Sequence, residues 1–323
     1  MKFNKFIYSK YYNLIKYSVF IFFIFFIIFE INSNFNFVYS KLFKNLPVIL
    51  FILSANVIYQ NVLSLRIYFV IKVCTRFNGS FIEWLKIYFE SLIFNVLVSH
   101  TGSAYRATEL KKKNVAYKEF LGIYYISYLS YLTINLLLIV IELSFLKFVS
   151  KDFKIFTLIG FFLIFLITFL TPSILSIFIN LLKNFKFKIL DKIFNNLKII
   201  LNFIKKSFFS FKLILILIIF GFLTHFFEIL LFYLSYNFFI DNFKIEIMIL
   251  LFAVSFLLDR MPVFSTIPGV SETIFAGISI PFGLFFYEGF LIKLLLRITA
   301  YLSICINSII AYVLNYNNTL KKW

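Results

Sequence analysis

Six apolar runs of roughly membrane-spanning length constrain this chain more than any other feature. Segments 17–31, 46–66, 120–146, 155–181, 213–240 and 287–313 are apolar almost throughout, and a helix needs about 20 such residues to cross the hydrocarbon core of a bilayer. Inside hydrocarbon every backbone N–H and C=O must find its partner within the protein, and a helix supplies those partners within one segment. Two further stretches, 84–99 and 246–285, are apolar but short or interrupted. They are expected to enter the membrane as broken or re-entrant segments. The pattern predicts an all-α fold, a polytopic membrane helix bundle of about 8 membrane segments. No long polar region remains for a soluble catalytic domain, so 1–323 reads as a single integral membrane domain. Hydrophobic residues make up 62% of the chain, against about half in soluble domains.

Charge gives the orientation. The formal net charge is +18, which in a soluble protein would point to nucleic acid. Here the basic residues sit mainly between apolar runs, where the positive-inside tendency and anionic lipid account for them, and no separate basic module exists, so no nucleic-acid partner is expected. The N-terminus carries Lys2, Lys5, Lys10 and Lys16, the stretch 104–118 carries Arg106, Lys111, Lys112, Lys113 and Lys118, and the linker 183–212 carries eight lysines against Asp191. These regions are expected to be cytoplasmic, which places the chain in the cytoplasmic (inner) membrane with its N-terminus inside. The first apolar run has no small-residue cleavage site after Glu30 and reads as a retained signal anchor. Lys321 and Lys322 favour eight crossings over a hairpin ending. Linker positions Leu190, Ile193, Phe194, Leu197, Ile200 and Leu201 recur at helical spacing, as in a helix lying in the headgroup plane; a solvated charge run is the alternative.

Helix breakers are concentrated in one place. Three of the five prolines and four of the nine glycines fall within Met261–Gly289, around the carboxylate of Glu272. An earlier stretch echoes it. Gly102 is followed by Arg106 and then Glu119, and Gly269 by Glu272 and then Glu288, with glycine-to-glutamate separations of 17 and 19 residues. Half-repeats around 84–146 and 246–313 are the corresponding expectation.

At these residues the sequence resembles the flippase-like membrane domain of lysylphosphatidylglycerol synthases, the membrane half of the multiple-peptide-resistance factor, and of its stand-alone relatives. The first half of that pattern, an Asn, a break at a Gly and an Arg, is matched by Asn95, Gly102 and Arg106. The second half, Pro-Gly-x-x-Glu followed by a helix bearing an Arg, is matched by Pro268, Gly269, Glu272 and Arg297. The similarity runs from about residue 15 to 315. Where the family often has Pro before the first glycine, this chain has Ser99-His100-Thr101. The soluble aminoacyl-transferase domain of two-part members is absent, so lysine transfer is not implied. The resemblance implies translocation of a lipid or lipid-linked substrate, without enzymatic chemistry or a cofactor.

Several residues fit two roles. Glu272, three residues after the break, can cap the helix that follows, or it can line a cavity and pair with an Arg or a cationic headgroup. Arg297 lies deep in segment 287–313, where a lone charge near the bilayer centre costs about 2.5–3.5 kcal/mol on the insertion scale and so finds a partner. Lys293 stands four residues earlier on the same face, with Glu288 as its candidate partner. Arg106 belongs either to a topogenic cluster with Lys111–Lys113 or to a headgroup site, since a guanidinium fork binds two phosphate oxygens at once; Glu109 is positioned to orient it. His225 and Glu228, three apart, share a helical face; the two readings are a buried hydrogen-bonded His and a proton relay. Two histidines and two distant cysteines, Cys74 and Cys305, give no metal or disulfide pattern. Asn56 and Gln60 read as interhelical hydrogen-bonding residues. The favoured function is a translocase of an anionic lipid or polyprenyl-phosphate-linked sugar, with Arg106 and Arg297 holding phosphate in a hydrophilic cleft. A polyprenyl-dependent glycosyltransferase needs a carboxylate base on the outer face, where connections 32–45 and 147–154 offer little beyond Asp152. A non-catalytic assembly partner is the third class.

Overall fold

The computed structural model describes residues 41, 45–97, 101–146, 151–152, 155, 158–159, 161–162, 197–204, 207, 210–241, 244–260 and 269–320. Outside the described residues lie the expected run 17–31, all but five positions of 155–181, linker positions 183–196, the breaker residues 261–268 with Pro268 among them, and Lys321 and Lys322.

Among the described residues the regular structure is helical throughout, with no strand. Eight α-helices and one short 3-10 turn follow in order: α1 Leu46–Cys74, α2 Phe81–Leu97, α3 Thr101–Lys112, α4 Tyr117–Phe145, α5 Phe211–Phe239, α6 Ile245–Arg260, α7 Val270–Ser279, the turn Ile280–Phe282, and α8 Phe286–Leu320. Four of them, α1, α4, α5 and α8, are long and apolar enough to cross a membrane. The 29 residues of α1 extend about 43 Å at 1.5 Å per residue, more than the roughly 30 Å hydrocarbon thickness. α1 runs past the expected end of its apolar run at residue 66 because Arg66 is buried with partners and does not stop the helix. Along α5, Ile214, Leu215, Ile218, Ile219, Phe222 and Phe226 all point outward. Apolar residues on the outer face as well as the inner one are what a lipid surround demands.

Two compact units divide the chain. One takes the residues up to Asn56 and Ile229–Ala300, the other Val57–Glu228 and the residues from Tyr301 on. The first is centred on aromatic packing, with Phe232 against Phe252 and Phe275 at ring separations of 5.8 and 5.9 Å. The second buries Ile71, Trp84, Tyr88, Phe89, Leu110, Ile123, Ile126 and Leu213 in one cluster, and Ile204 of the linker packs into it.

Each unit holds a helix triplet whose joints are set by local chemistry. In the second unit these are α2, α3 and α4, of 17, 12 and 29 residues; in the first they are α6, α7 and the start of α8, of which α6 and α7 have 16 and 10 residues. Glu83 of α2 accepts the Ser80 backbone N–H at 2.9 Å while the Ser80 hydroxyl accepts the N–H of Glu83 at 3.2 Å, a reciprocal cap. α3 ends in a Schellman motif: Asn114 adopts φ 65°, its N–H donates to Lys111 O at 3.2 Å, and Val115 N–H donates to Leu110 O at 3.1 Å. The long helices then open alike. Glu119 accepts the Ala116 N–H at 2.9 Å and Glu288 the Phe285 N–H at 2.9 Å, so both carboxylates sit three residues into their helices against the positive helix end.

Candidate functional site

In the first unit, Gly269 has φ 91°, a left-handed conformation that opens α7 and that only glycine adopts without a steric penalty. Its N–H donates to Glu272 Oε2 at 2.9 Å, and the Ser271 hydroxyl reaches the same oxygen at 3.2 Å. The other oxygen, Oε1, lies 2.7 Å from Arg297 Nη1, an ion pair with poor hydrogen-bond alignment. Arg297 also donates through Nη2 to Ser271 Oγ at 2.9 Å. Glu272 therefore serves as helix cap and as ion-pair partner through different oxygens. It is 1% exposed, so its carboxylate lies out of water, while the Arg297 side chain keeps 16% of its surface exposed. One turn earlier on α8, Lys293 contacts both oxygens of Asp259 at 2.8 and 2.7 Å and Ser255 Oγ at 2.9 Å. Glu288, the partner expected for Lys293, is instead turned back to cap its own helix. Asn56 donates to Thr299 at 2.9 Å, the interhelical role expected of it.

The second unit gathers Asn95, Gly102 and Arg106. Gly102 lies so close to α2 that a Cβ placed on it would stand 1.7 Å from the Ser91 carbonyl oxygen and 2.7 Å from Asn95 Cγ. Its N–H donates to Asn95 Oδ1 at 2.9 Å. This contact binds α3 to α2, and Arg106, four residues on and therefore on the same face, is carried inward. Its Nε and Nη2 both donate to Ser91 Oγ, at 3.0 and 2.6 Å. Its Cζ lies 4.7 Å from the centre of the Tyr88 ring, close enough for a cation–π attraction. Arg106 is 5% exposed. Among the described residues no carboxylate pairs with it. Glu109, expected to orient Arg106, binds Lys112 at 2.6 Å. Glu90 accepts from Tyr105, and Glu83 takes Lys113 at 3.0 Å.

A second polar cluster in this unit joins α1, α4 and α5. Arg66, 2% exposed, donates through Nη2 to Ser127 O at 2.7 Å and Ser130 Oγ at 2.9 Å, and its Cζ lies 5.1 Å from the Tyr131 ring centre. Glu228 accepts hydrogen bonds from Tyr131 and Tyr59. His225 faces α4: its Nδ1 is 2.9 Å from Asn135 Oδ1 and its Nε2 is 2.7 Å from Glu142 Oε1. The Asn135 amide donates to Tyr131 O at 2.8 Å, which fixes Oδ1 toward the imidazole. Nδ1 must then carry a hydrogen.

Sequence reasoning missed Arg66, Ser91, Glu142 and Asp259. Arg66, Glu142 and Asp259 each interrupt or end an apolar run, and that was the available signal, since charges in such positions call for partners. Ser91 gave none. Among the described residues no three His, Cys, Asp or Glu side chains gather as metal ligands. Comparison with protein-family models, characterised proteins and solved structures finds no match.

Proposed function

We propose that this chain is a membrane translocase for an anionic lipid or a polyprenyl-phosphate-linked substrate, a relative of the flippase-like membrane domains that its sequence resembles. The observation that carries the proposal is Arg106, a buried guanidinium with one serine hydroxyl as its hydrogen-bond acceptor and no carboxylate paired to it among the described residues. In the first unit, by contrast, Lys293 and Arg297 each have an acid, Asp259 and Glu272. A cation taken out of water without a counter-ion costs several kcal/mol, and charges of this kind within membrane proteins mark substrate paths. A phosphate group supplies the missing anion, and the planar guanidinium fork suits it. Translocation needs no covalent step, so no enzyme chemistry is assigned.

In this proposal the chain has about eight membrane segments and lies in the cytoplasmic membrane with its N-terminus inside. The stretches α2–α3 and α6–α7 enter as broken segments. Support for two half-repeats comes from the shared order of the triplets and from the matched caps Glu119 and Glu288. Proton coupling falls to the cluster containing His225 and Glu228, in which His225 Nε2 lies 2.7 Å from Glu142 Oε1. The test is leaflet exchange in proteoliposomes. Purified protein is expected to move labelled anionic lipid between leaflets, with Arg106→Gln abolishing movement while the protein remains folded. No movement across a panel of anionic phospholipids and polyprenyl phosphates refutes the proposal.

A further inference from the structure

We infer that Lys293 and Ser255 form a binding site for a phosphate-type anion in the first unit, occupied by the Asp259 carboxylate as an internal competitor until an anionic headgroup displaces it. The inference deepens the translocase reading and rests on it for the class of ligand. Lys293 belongs to α8, and Ser255 and Asp259 to α6, where they stand four apart on one face. Lys293 Nζ donates to Ser255 Oγ at 2.9 Å and to Asp259 Oδ1 and Oδ2 at 2.8 and 2.7 Å. An ammonium has three N–H donors, so all of them are in use, two on a single carboxylate. Two oxygens on one atom are also what a phosphodiester presents. The Ser255 hydroxyl accepts from Lys293 and keeps its own hydrogen for a phosphate oxygen. Nζ lies 5.8 Å from the centre of the Phe275 ring, a cation–π contact that holds the ammonium in place whichever anion faces it.

The two ion pairs of this unit differ in which partner is free to leave. The Glu272 carboxylate is buried, and the Gly269 N–H and Ser271 hydroxyl hold it as well as Arg297 does. Asp259 exposes 41% of its side chain, whereas Lys293 exposes 5%. Among the described residues Lys293 is the one hydrogen-bond and ion-pair partner of the Asp259 carboxylate. Asp259 also stands in the last turn of α6, Ile245–Arg260, where the negative end of a helix disfavours a carboxylate. Released from Lys293, this acid is hydrated where it already reaches water. The ammonium has no such recourse, because a buried cation without a counter-ion is strongly disfavoured. Asp259 therefore leaves as another anion arrives, and the space for that anion is the volume its carboxylate gives up. A phospholipid headgroup and free phosphate offer the same chemistry.

The test uses the purified full chain in phosphatidylcholine nanodiscs, titrated with short-chain phosphatidylglycerol in one arm and inorganic phosphate in the other, read by calorimetry. Asp259→Asn, whose amide carries no charge to compete, is expected to bind the anionic lipid about fivefold more tightly than wild type, the upper end of what a solvent-reachable ion pair contributes. The gain should vanish when Lys293→Gln is added and persist when Arg106→Gln is added, which separates this site from the one assigned to Arg106. Asp241→Asn removes another acid of the same unit, one that exposes 83% of its side chain, and should bind as wild type. A second measurement uses wild type alone. A carbodiimide should join Asp259 to Lys293 as an amide in phosphatidylcholine nanodiscs, and phosphatidylglycerol should halve the yield at the concentration that half-saturates binding. If Asp259→Asn does not fold, this cross-link decides. Competition by inorganic phosphate assigns the site to the free ion, and its failure to compete assigns it to the lipid headgroup; each supports the site. An unchanged affinity in folded Asp259→Asn, an equal gain in Asp241→Asn, or a cross-link indifferent to phosphatidylglycerol overturns it. Tighter binding through Lys293 without leaflet exchange in wild type removes the translocase and leaves the site, whereas exchange with no gain in Asp259→Asn removes the site and leaves the translocase.

Discussion

Replacing Glu272 by Gln removes one charge from a position where a single carboxylate meets two demands. Oε2 accepts from the Gly269 N–H at 2.9 Å and Oε1 faces Arg297 at 2.7 Å. A glutamine has one oxygen and one NH2. Whichever way its amide is turned, a donor faces a donor, either at the start of α7 or at Arg297. At 2.7 Å two unit charges attract by about 6 kcal/mol at an effective dielectric constant of about 20, and desolvation offsets much of that. What remains on removing one partner of a buried pair is a loss of about 3–5 kcal/mol. A loss of this size should lower the midpoint of thermal unfolding in detergent by at least about 6 °C, taking about 2 °C per kcal/mol for a large domain. Arg297→Met combined with Glu272→Gln should be less damaging than the sum of the two, with a coupling of about 2–3 kcal/mol for residues in direct contact. A midpoint shift under about 1 °C for Glu272→Gln, or strict additivity in the double variant, would refute the buried ion pair.

Gly102→Ala is expected to cost about 1–3 kcal/mol, as overpacking does, because the added Cβ falls 1.7 Å from the Ser91 carbonyl oxygen; it should also weaken anionic-lipid binding by drawing Arg106 away from Ser91. Thermal unfolding and lipid titration check both effects, and a variant as stable and as tightly binding as wild type contradicts the close contact. For the imidazole, His100→Gln leaves His225 as the single histidine of a chain that has two. Nitrogen-15 NMR of that variant should show a protonated Nδ1 at neutral pH, and a spectrum with Nδ1 bare and the hydrogen on Nε2 contradicts the Asn135 contact.

Sequence patterns carry local information well and partner choice poorly. Gly102 and Arg106 are four apart, so their shared face was readable before any coordinates, as were Glu119 and Glu288 ahead of long apolar helices. The ends of α1 were harder to read. Apolarity alone stops that helix near residue 66, whereas Arg66 continues it by finding acceptors on α4, 61 and 64 residues away in sequence. Lys293 teaches the same lesson: the near acid Glu288 caps its own helix, and the partner is Asp259, 34 residues earlier. Long-range pairs depend on which helix faces which, and periodicity within one helix does not contain that.

Leaflet exchange of a phosphatidylglycerol probe, compared with a phosphatidylcholine probe in the same proteoliposomes, tests the anionic-substrate translocase most directly. Wild type should favour the anionic probe at least about tenfold, the discrimination expected from one charge-assisted contact, and Arg106→Gln should bring the two rates together at the protein-free level. Equal rates for both probes in wild type, or a preference that survives Arg106→Gln, would contradict it.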